Sequence, residues 1–201
     1  MPSRVFLLSP ARSSGPRAEQ LVRSESALGE ALRGEGAALG DVFAFLSSLY
    51  FRGKLGYALQ FGAADLAVPG ALVITPGHGL CRPSTRIRAA DLARMGAIDV
   101  AATNPSFVQP LLRDAQRLVR SLPSATEVVL LGSIATPKYV EPLLSVLGER
   151  LLFPSEFVGR GDMSRGGLLL RAARQGQELL CVPVQAALLR GKRARRIDEL
   201  P

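Results

Sequence analysis

Residues Glu127–Leu147 read EVVLLGSIATPKYVEPLLSVL, and this stretch decides the fold class. EVVLL is a strand with no polar face to turn to water, and Gly132-Ser133 stops it. Thr136-Pro137 then caps a helix, with proline in the first turn, where its missing N–H costs nothing. Tyr139, Leu143 and Leu147 recur on one face of that helix. A strand that is apolar on both sides and runs directly into a helix is the repeating unit of a parallel sheet wrapped by helices.

The same unit recurs outward in both directions. Upstream, ALVIT (Ala71–Thr75) stops at Pro76-Gly77-His78-Gly79; a loop with one helical turn at most leads to Asn104-Pro105, which opens a helix to about Leu122. Val5–Leu8 ends at Ser9-Pro10. Gly15-Pro16 starts an amphipathic helix to about Leu32, and a Gly-rich loop precedes a second helix from Asp41 to about Phe61, with Phe43, Leu46, Leu49 and Tyr50 at helical spacing. Downstream come a strand at Arg150–Phe153, the joint GRGDMSRGG (Gly159–Gly167), a helix from about Met163 to Arg174 and a last strand, Glu178–Val184. The expectation is an α/β fold with a mostly parallel central sheet of about four to six strands and helices on both faces. Residues 1–189 read as a single domain and residues 190–201 as a basic C-terminal tail.

Composition narrows the function. The chain has 201 residues, is 47% hydrophobic and carries a formal net charge of +8, a balance that favours an anionic partner such as nucleic acid or nucleotide. A solvated basic surface also accounts for it. The tail RGKRARRIDELP either binds phosphates as an arm, through Lys192, Arg193, Arg195 and Arg196, or is simply solvated. No apolar run reaches the ~18–20 residues that cross a bilayer, and the N-terminal MPSRVFLLSPARSS reads as a first strand rather than a signal peptide. Cys81 and Cys181 lack metal-ligand spacing and read as free thiols of a reduced cytoplasm. With one histidine and no cysteine pair, no metal site is expected. No phosphate-binding glycine motif, zinc-protease helix or nucleophile elbow is present, and no cofactor is implied.

In a parallel sheet, ligands bind beyond the carboxyl ends of the strands. The first strand ends in Ser9-Pro10-Ala11-Arg12, the second in Thr75 and Pro76 to Gly79 with Arg82 beyond, the third in Gly132-Ser133 with Thr136 and Lys138 beyond, and the fourth in Arg160 to Gly167. Small, hydroxyl-bearing and cationic residues recur there four times, the makings of an anion-binding cup. The expectation is that Ser9, Thr75 or His78, Ser133 and Arg160 to Arg165 surround one concavity, that Met163 turns inward, and that Arg165 is exposed. His78 either ends a strand or faces a ligand. Asp162 caps the following helix or acts as a base, capping being favoured. Tyr50, Arg52 and Lys54 in SLYFRGKLGYA either face anions or end a helix, whose last turn favours cations.

Three of these segments resemble, in order, motifs of the YaaA peroxide-stress family. VFLLSPARS is similar to its opening strand ending in Ser-Pro-Ala-Lys-Thr, ITPGHGLCRP to a strand end followed by Tyr-Gly and Arg-Pro, and GRGDMSR to its Arg-Gly-x-Met-Ser-Arg; LGSIATPKYVEPL is a fainter echo containing a tyrosine. The resemblance carries over Ser9, Pro10, Ala11, Thr75, Gly79, Arg82, Pro83, Arg160, Gly161, Met163, Ser164 and Arg165, with Tyr50 and Tyr139 less directly. His78 stands where the family has Tyr, Asp162 where it is apolar, and Val158-Gly159 replaces paired lysines. The resemblance implies a three-layer fold akin to uracil-DNA glycosylases and a cytoplasmic nucleic-acid-binding protein (DNA rather than RNA) that protects DNA under oxidative stress. Together with the strand-end pattern, which alone supplies Arg12, His78, Ser133 and Asp162, it gives the expectation of a nucleotide- or base-sized pocket lined by Ser9, Arg12, Tyr50, Thr75, His78, Gly79, Arg82, Ser133, Tyr139, Arg160, Gly161, Asp162, Ser164 and Arg165. Whether the pocket works as an enzyme on a nucleobase or nucleotide, or is vestigial in a protein-interaction scaffold, stays open at this level.

Overall fold

The apolar runs at residues 5–8, 71–75, 127–131 and 151–154 can lose water on both faces only as interior strands, and they do. The computed structural model describes residues 3–63 and 67–186, so the basic tail lies outside the described residues. Strand β1 (Arg4–Leu8) leads to helices α1 (Pro16–Arg23) and α2 (Ala27–Arg33), strand β2 (Ala37–Ala38) and the long helix α3 (Leu39–Phe61). Strands β3 (Ala71–Thr75), β4 (Gly79–Cys81) and β5 (Arg86–Ile87) follow, then α4 (Ala89–Ala97) and α5 (Pro105–Ser121). The rest of the described chain gives β6 (Glu127–Leu131), α6 (Pro137–Leu147), β7 (Leu151–Pro154), α7 (Asp162–Gln175) and β8 (Cys181–Pro183).

The main sheet has six strands in the order β4-β3-β1-β6-β7-β8. Its four inner strands are parallel, with Leu8 opposite both Val73 and Leu131. The expected α/β class, a mostly parallel sheet between helical layers, is the observed one. β4 and β8 are three-residue antiparallel additions at the two edges, which the apolar runs alone do not announce. Arg4, at the amino end of β1, pairs with Glu127 and Glu178 and ties the centre of the sheet to the segment before β8.

α3 packs with α7 and α5 with α6, on opposite faces of the sheet. The first crossing is very close: a Cβ on Gly53 would lie 2.6 Å from the Gly166 carbonyl oxygen, and one on Gly166 would lie 2.8 Å from the Leu49 oxygen. The third glycine of the GRGDMSRGG joint, Gly166, is therefore a contact point between helices. Gly166 sits inside α7 and contributes no loop flexibility.

Local details differ from the expectation in three places. The helix over 16–32 breaks in two because Ser24 donates its hydroxyl to the Leu21 carbonyl and Ser26 accepts the Gly29 N–H at 3.2 Å, so side chains compete with the helical ladder. The segment after His78 is more ordered than a loop with one turn: β4 and β5 form there, and α4 spans nine residues. α3 begins at Leu39 and is kinked at Ser48, whose backbone lies at φ 51°, ψ −124°. No helix among the described residues is long and apolar enough to cross a membrane.

Candidate functional site

β1 connects leftward to β3 through α3, whereas β6 connects rightward to β7 through α6 on the other face. Between β1 and β6 the direction of winding reverses, and the two parallel strands stay paired to their ends there, the Ser9 N–H donating to the Leu131 carbonyl at 3.1 Å. This is the position of the crevice in which open α/β sheets bind ligands. Ser9 and Gly132-Ser133 stand on its two sides. They nearly touch: a Cβ on Gly132 would lie 3.0 Å from the Ser9 Cβ and 3.2 Å from its Oγ. Ser133 turns its Oγ to accept the Ala135 N–H at 3.2 Å, which shapes the entry to α6.

The floor of this crevice holds Lys54, which is 1% exposed. Its Nζ donates to the Ser9 carbonyl oxygen at 2.6 Å and lies 2.9 Å from Ser9 Oγ. The ring centroids of Tyr50 and Phe51 are 4.3 and 5.0 Å away. No ion pair to Lys54 occurs among the described residues, although buried ammonium groups are ordinarily compensated by a carboxylate. Burial accordingly pulls its pKa from 10.5 down to about 7, partly offset by the charge of Asp162.

Tyr50 flanks the lysine, and Tyr139 lies near Tyr50. Burial pushes the Tyr50 phenol up to about 12, against the pull of the Arg165 guanidinium, and its hydroxyl is buried without a hydrogen-bond partner. Tyr139 is raised as well, by burial first and then by Tyr50 and Asp162; its ring packs edge-on against Phe107, 6.1 Å between centroids. Tyr139 also lines an open cavity of about 600 Å³ above the same sheet edge, together with Arg12, Ser13, Pro76, Asp99 and Lys138. Buried cluster and open cavity thus share one residue. Among the described residues no three His, Cys, Asp or Glu side chains gather as a metal-ligand set.

Comparison with family models, with curated proteins and with solved structures finds no match to this chain. The chemistry of the crevice is therefore the basis for assigning it a role.

The sequence-derived site divides into two parts. Ser9, Arg12, Tyr50, Ser133, Tyr139 and Arg165 gather at the crevice or its cavity. Arg165 is 12% exposed in its side chain, with its guanidinium 5.4 Å from the Phe157 ring centroid and Nε donating to the Phe157 carbonyl at 3.2 Å, so it is a packed residue rather than an exposed one. Asp162 is the first residue of α7 and lies 3.8 Å from Arg165; the cap position falls to Gly161, which removes the capping role expected of the aspartate. Arg160 folds back onto its own loop, donating to the Glu156 carbonyl and to Ser164 Oγ. Met163 is 66% exposed and does not turn inward, because Gly166 and Leu169 are the positions of α7 that face α3 and the core.

The segment ITPGHGLCRP behaves differently. It is the β3–β4 hairpin, in which Thr75 donates its hydroxyl to the Gly79 carbonyl at 2.9 Å. Gly79 takes φ +76° and packs against α5, where a Cβ would come within 2.6 Å of the Pro110 oxygen. His78 is the exposed tip, its Nδ1 3.2 Å from the Pro76 oxygen. Antiparallel return then carries Arg82 to the amino end of β3, beside Gly70 and Ala71 and on the opposite edge of the sheet from the crevice.

Lys54 is the residue whose significance sequence reasoning missed. The signal was its spacing: Leu46, Tyr50, Lys54 and Ala58 succeed one another every four residues, so the lysine occupies a position in the apolar stripe of α3.

Proposed function

We propose that this is a cytoplasmic nucleic-acid-binding protein of the YaaA type, which takes a nucleotide or displaced base into the cavity above the carboxyl edge of the sheet and protects DNA under oxidative stress. The observation that carries this reading is the cavity wall itself: Arg12 and Lys138 line it together with Tyr139. Two cations beside an aromatic residue suit a phosphate with an attached base. The volume of about 600 Å³ falls within the range of roughly 300–1,000 Å³ usual for small-molecule sites. Asp99 adds an acceptor for base amino or ribose hydroxyl groups. Pro10, Ala11 and Arg12, from the motif that resembles the family's opening strand end, all line the cavity. The net charge of +8 supports an anionic partner.

Fluorescence anisotropy with single-stranded and duplex DNA across a salt series tests the proposal. Replacing both Arg12 and Lys138 by Ala should weaken binding and flatten the logarithmic salt slope by about 1.4–1.8, the loss of two phosphate contacts. Unchanged affinity and slope in a variant that melts like the parent would remove the cavity from the binding surface.

A further inference from the structure

Nucleic-acid binding in the open cavity leaves the Ser9–Lys54 pair without a task. A purely structural side chain at position 54, between the rings of Tyr50 and Phe51, would be apolar, since an amine there bears a desolvation cost with no counter-ion to offset it. The geometry around Nζ is that of an oriented base. A neutral amine has two N–H bonds and one lone pair. The Ser9 carbonyl, 2.6 Å away, can only accept, so it takes an N–H; the Ser9 hydroxyl, 2.9 Å away, can then donate its proton to the lone pair. Burial favours the neutral form that this arrangement needs, with the pKa near 7. The charged or titratable groups around the pair are Tyr50 from the same helix, its ring 4.3 Å from Nζ, and Asp162 from α7, with Arg165 from α7 and Tyr139 from α6 beyond them beside Tyr50.

The surroundings fit a nucleophile. Ser9 stands at the point where the winding of the sheet reverses, is 6% exposed, and directly precedes the residues that line the cavity. Gly132 keeps a side chain off Ser9 Oγ, since a Cβ there would sit only 3.2 Å from it. The Tyr50 hydroxyl, buried beside the Arg165 guanidinium without a well-formed hydrogen bond, keeps its proton to donate one helical turn from Lys54.

We propose that Ser9 and Lys54 form a serine–lysine pair that hydrolyses or transfers the acyl group of a carboxylic ester or activated amide, an activity beyond nucleic-acid binding and independent of it. Ser9 Oγ attacks the carbonyl carbon as its proton passes to Lys54 Nζ. The bond to the leaving group breaks with its electron pair, and the leaving group takes the proton back from the ammonium. Water then adds to the acyl-serine, again giving a proton to Nζ; the Ser9 oxygen leaves and recovers that proton, releasing a carboxylic acid.

The test uses the full chain and an alkyl fluorophosphonate probe, with the adduct located by tandem mass spectrometry. One adduct is expected, on Ser9, forming faster as pH rises through about 7. Ser9→Ala should abolish it, whereas the double replacement of Arg12 and Lys138 by Ala, which weakens DNA binding, should label at the parent's rate, which separates this inference from the proposal above. Lys54→Met should slow labelling about a hundredfold or more, the usual contribution of a general base. Should Lys54→Met fail to fold, the pH profile of the unmodified chain decides alone. Absence of a Ser9 adduct, or labelling indifferent to pH and to Lys54, overturns the proposal.

Discussion

Replacing Lys54 by Met tests the buried amine by its effect on stability. The pKa of Lys54 falls from 10.5 to about 7 on folding, with burial as the leading cause. Between those values the unfolded chain holds a proton that the folded chain has released, so the stability of the native protein rises with pH across this window. Below it both states are protonated and the folded state bears the whole cost of the buried charge. Each pH unit is worth about 1.4 kcal/mol, so the shift amounts to about 5 kcal/mol from the bottom of the window to its top. Methionine fills nearly the same volume and does not titrate. It leaves the Ser9 carbonyl and hydroxyl without their partner, a loss of about 1–3 kcal/mol for each buried group left unpaired, and this loss does not vary with pH. The difference in unfolding free energy between the two proteins should therefore favour Lys54→Met most at or below pH 7 and move toward the parent by up to about 1.4 kcal/mol per unit above it. Urea denaturation at steps through the window measures that difference directly. Two curves that run parallel would mean that the amine keeps its ordinary pKa, and the account of the crevice floor would fall.

Two further outcomes follow from packing. Gly53→Ala and Gly166→Ala each drive a methyl group into the backbone of the opposing helix and should cost about 1–3 kcal/mol, with the double variant losing less than the sum because one adjustment of the crossing accommodates both; strict additivity in denaturant melts would contradict a shared contact. Arg165→Ala removes a guanidinium stacked on Phe157 and its bond to the Phe157 carbonyl, so thermal unfolding should show a loss of about 1–2 kcal/mol, whereas a melting curve superimposed on the parent's would show that the arginine is idle there.

The parallel core was legible because residues 5–8, 71–75, 128–131 and 151–153 are long enough in apolar side chains to exclude any half-exposed strand. The antiparallel edges were not: β4 and β8 have three residues each, and pairing to an existing edge sets their structure more than their own pattern does. The crevice residues Ser9 and Ser133 could be found because topology alone sends every parallel strand end to one side. Arg82 was misplaced by the same rule, since nothing in PGHGL distinguishes a hairpin from a strand–helix turn until β4 pairs. The kink at Ser48 has no local signature, as serine carries no preference for that backbone geometry. Lys54 was hidden by its neighbours Arg52 and Gly53, which make SLYFRGK look like a solvated, charged turn of the helix rather than part of its buried stripe.

The position of β1 has a bearing on how the protein forms. Its five residues occupy the interior of the sheet, yet their partners lie about sixty and a hundred and twenty positions later, at Ala71–Val73 and Glu127–Leu131. A chain emerging from the ribosome must keep this apolar segment unpaired on its second edge until residue 131 is free, an interval of several seconds at about 5–20 residues per second. Chains halted before then would present two greasy ladders to their surroundings, and such long closures make for slow folding. Because the crevice is assembled from segments near residues 9, 54, 133 and 165, it exists only when those closures are complete. A ligand held there would consequently act as a brake on global unfolding, and its effect should appear in the exchange of the most protected amides, those of β1 itself.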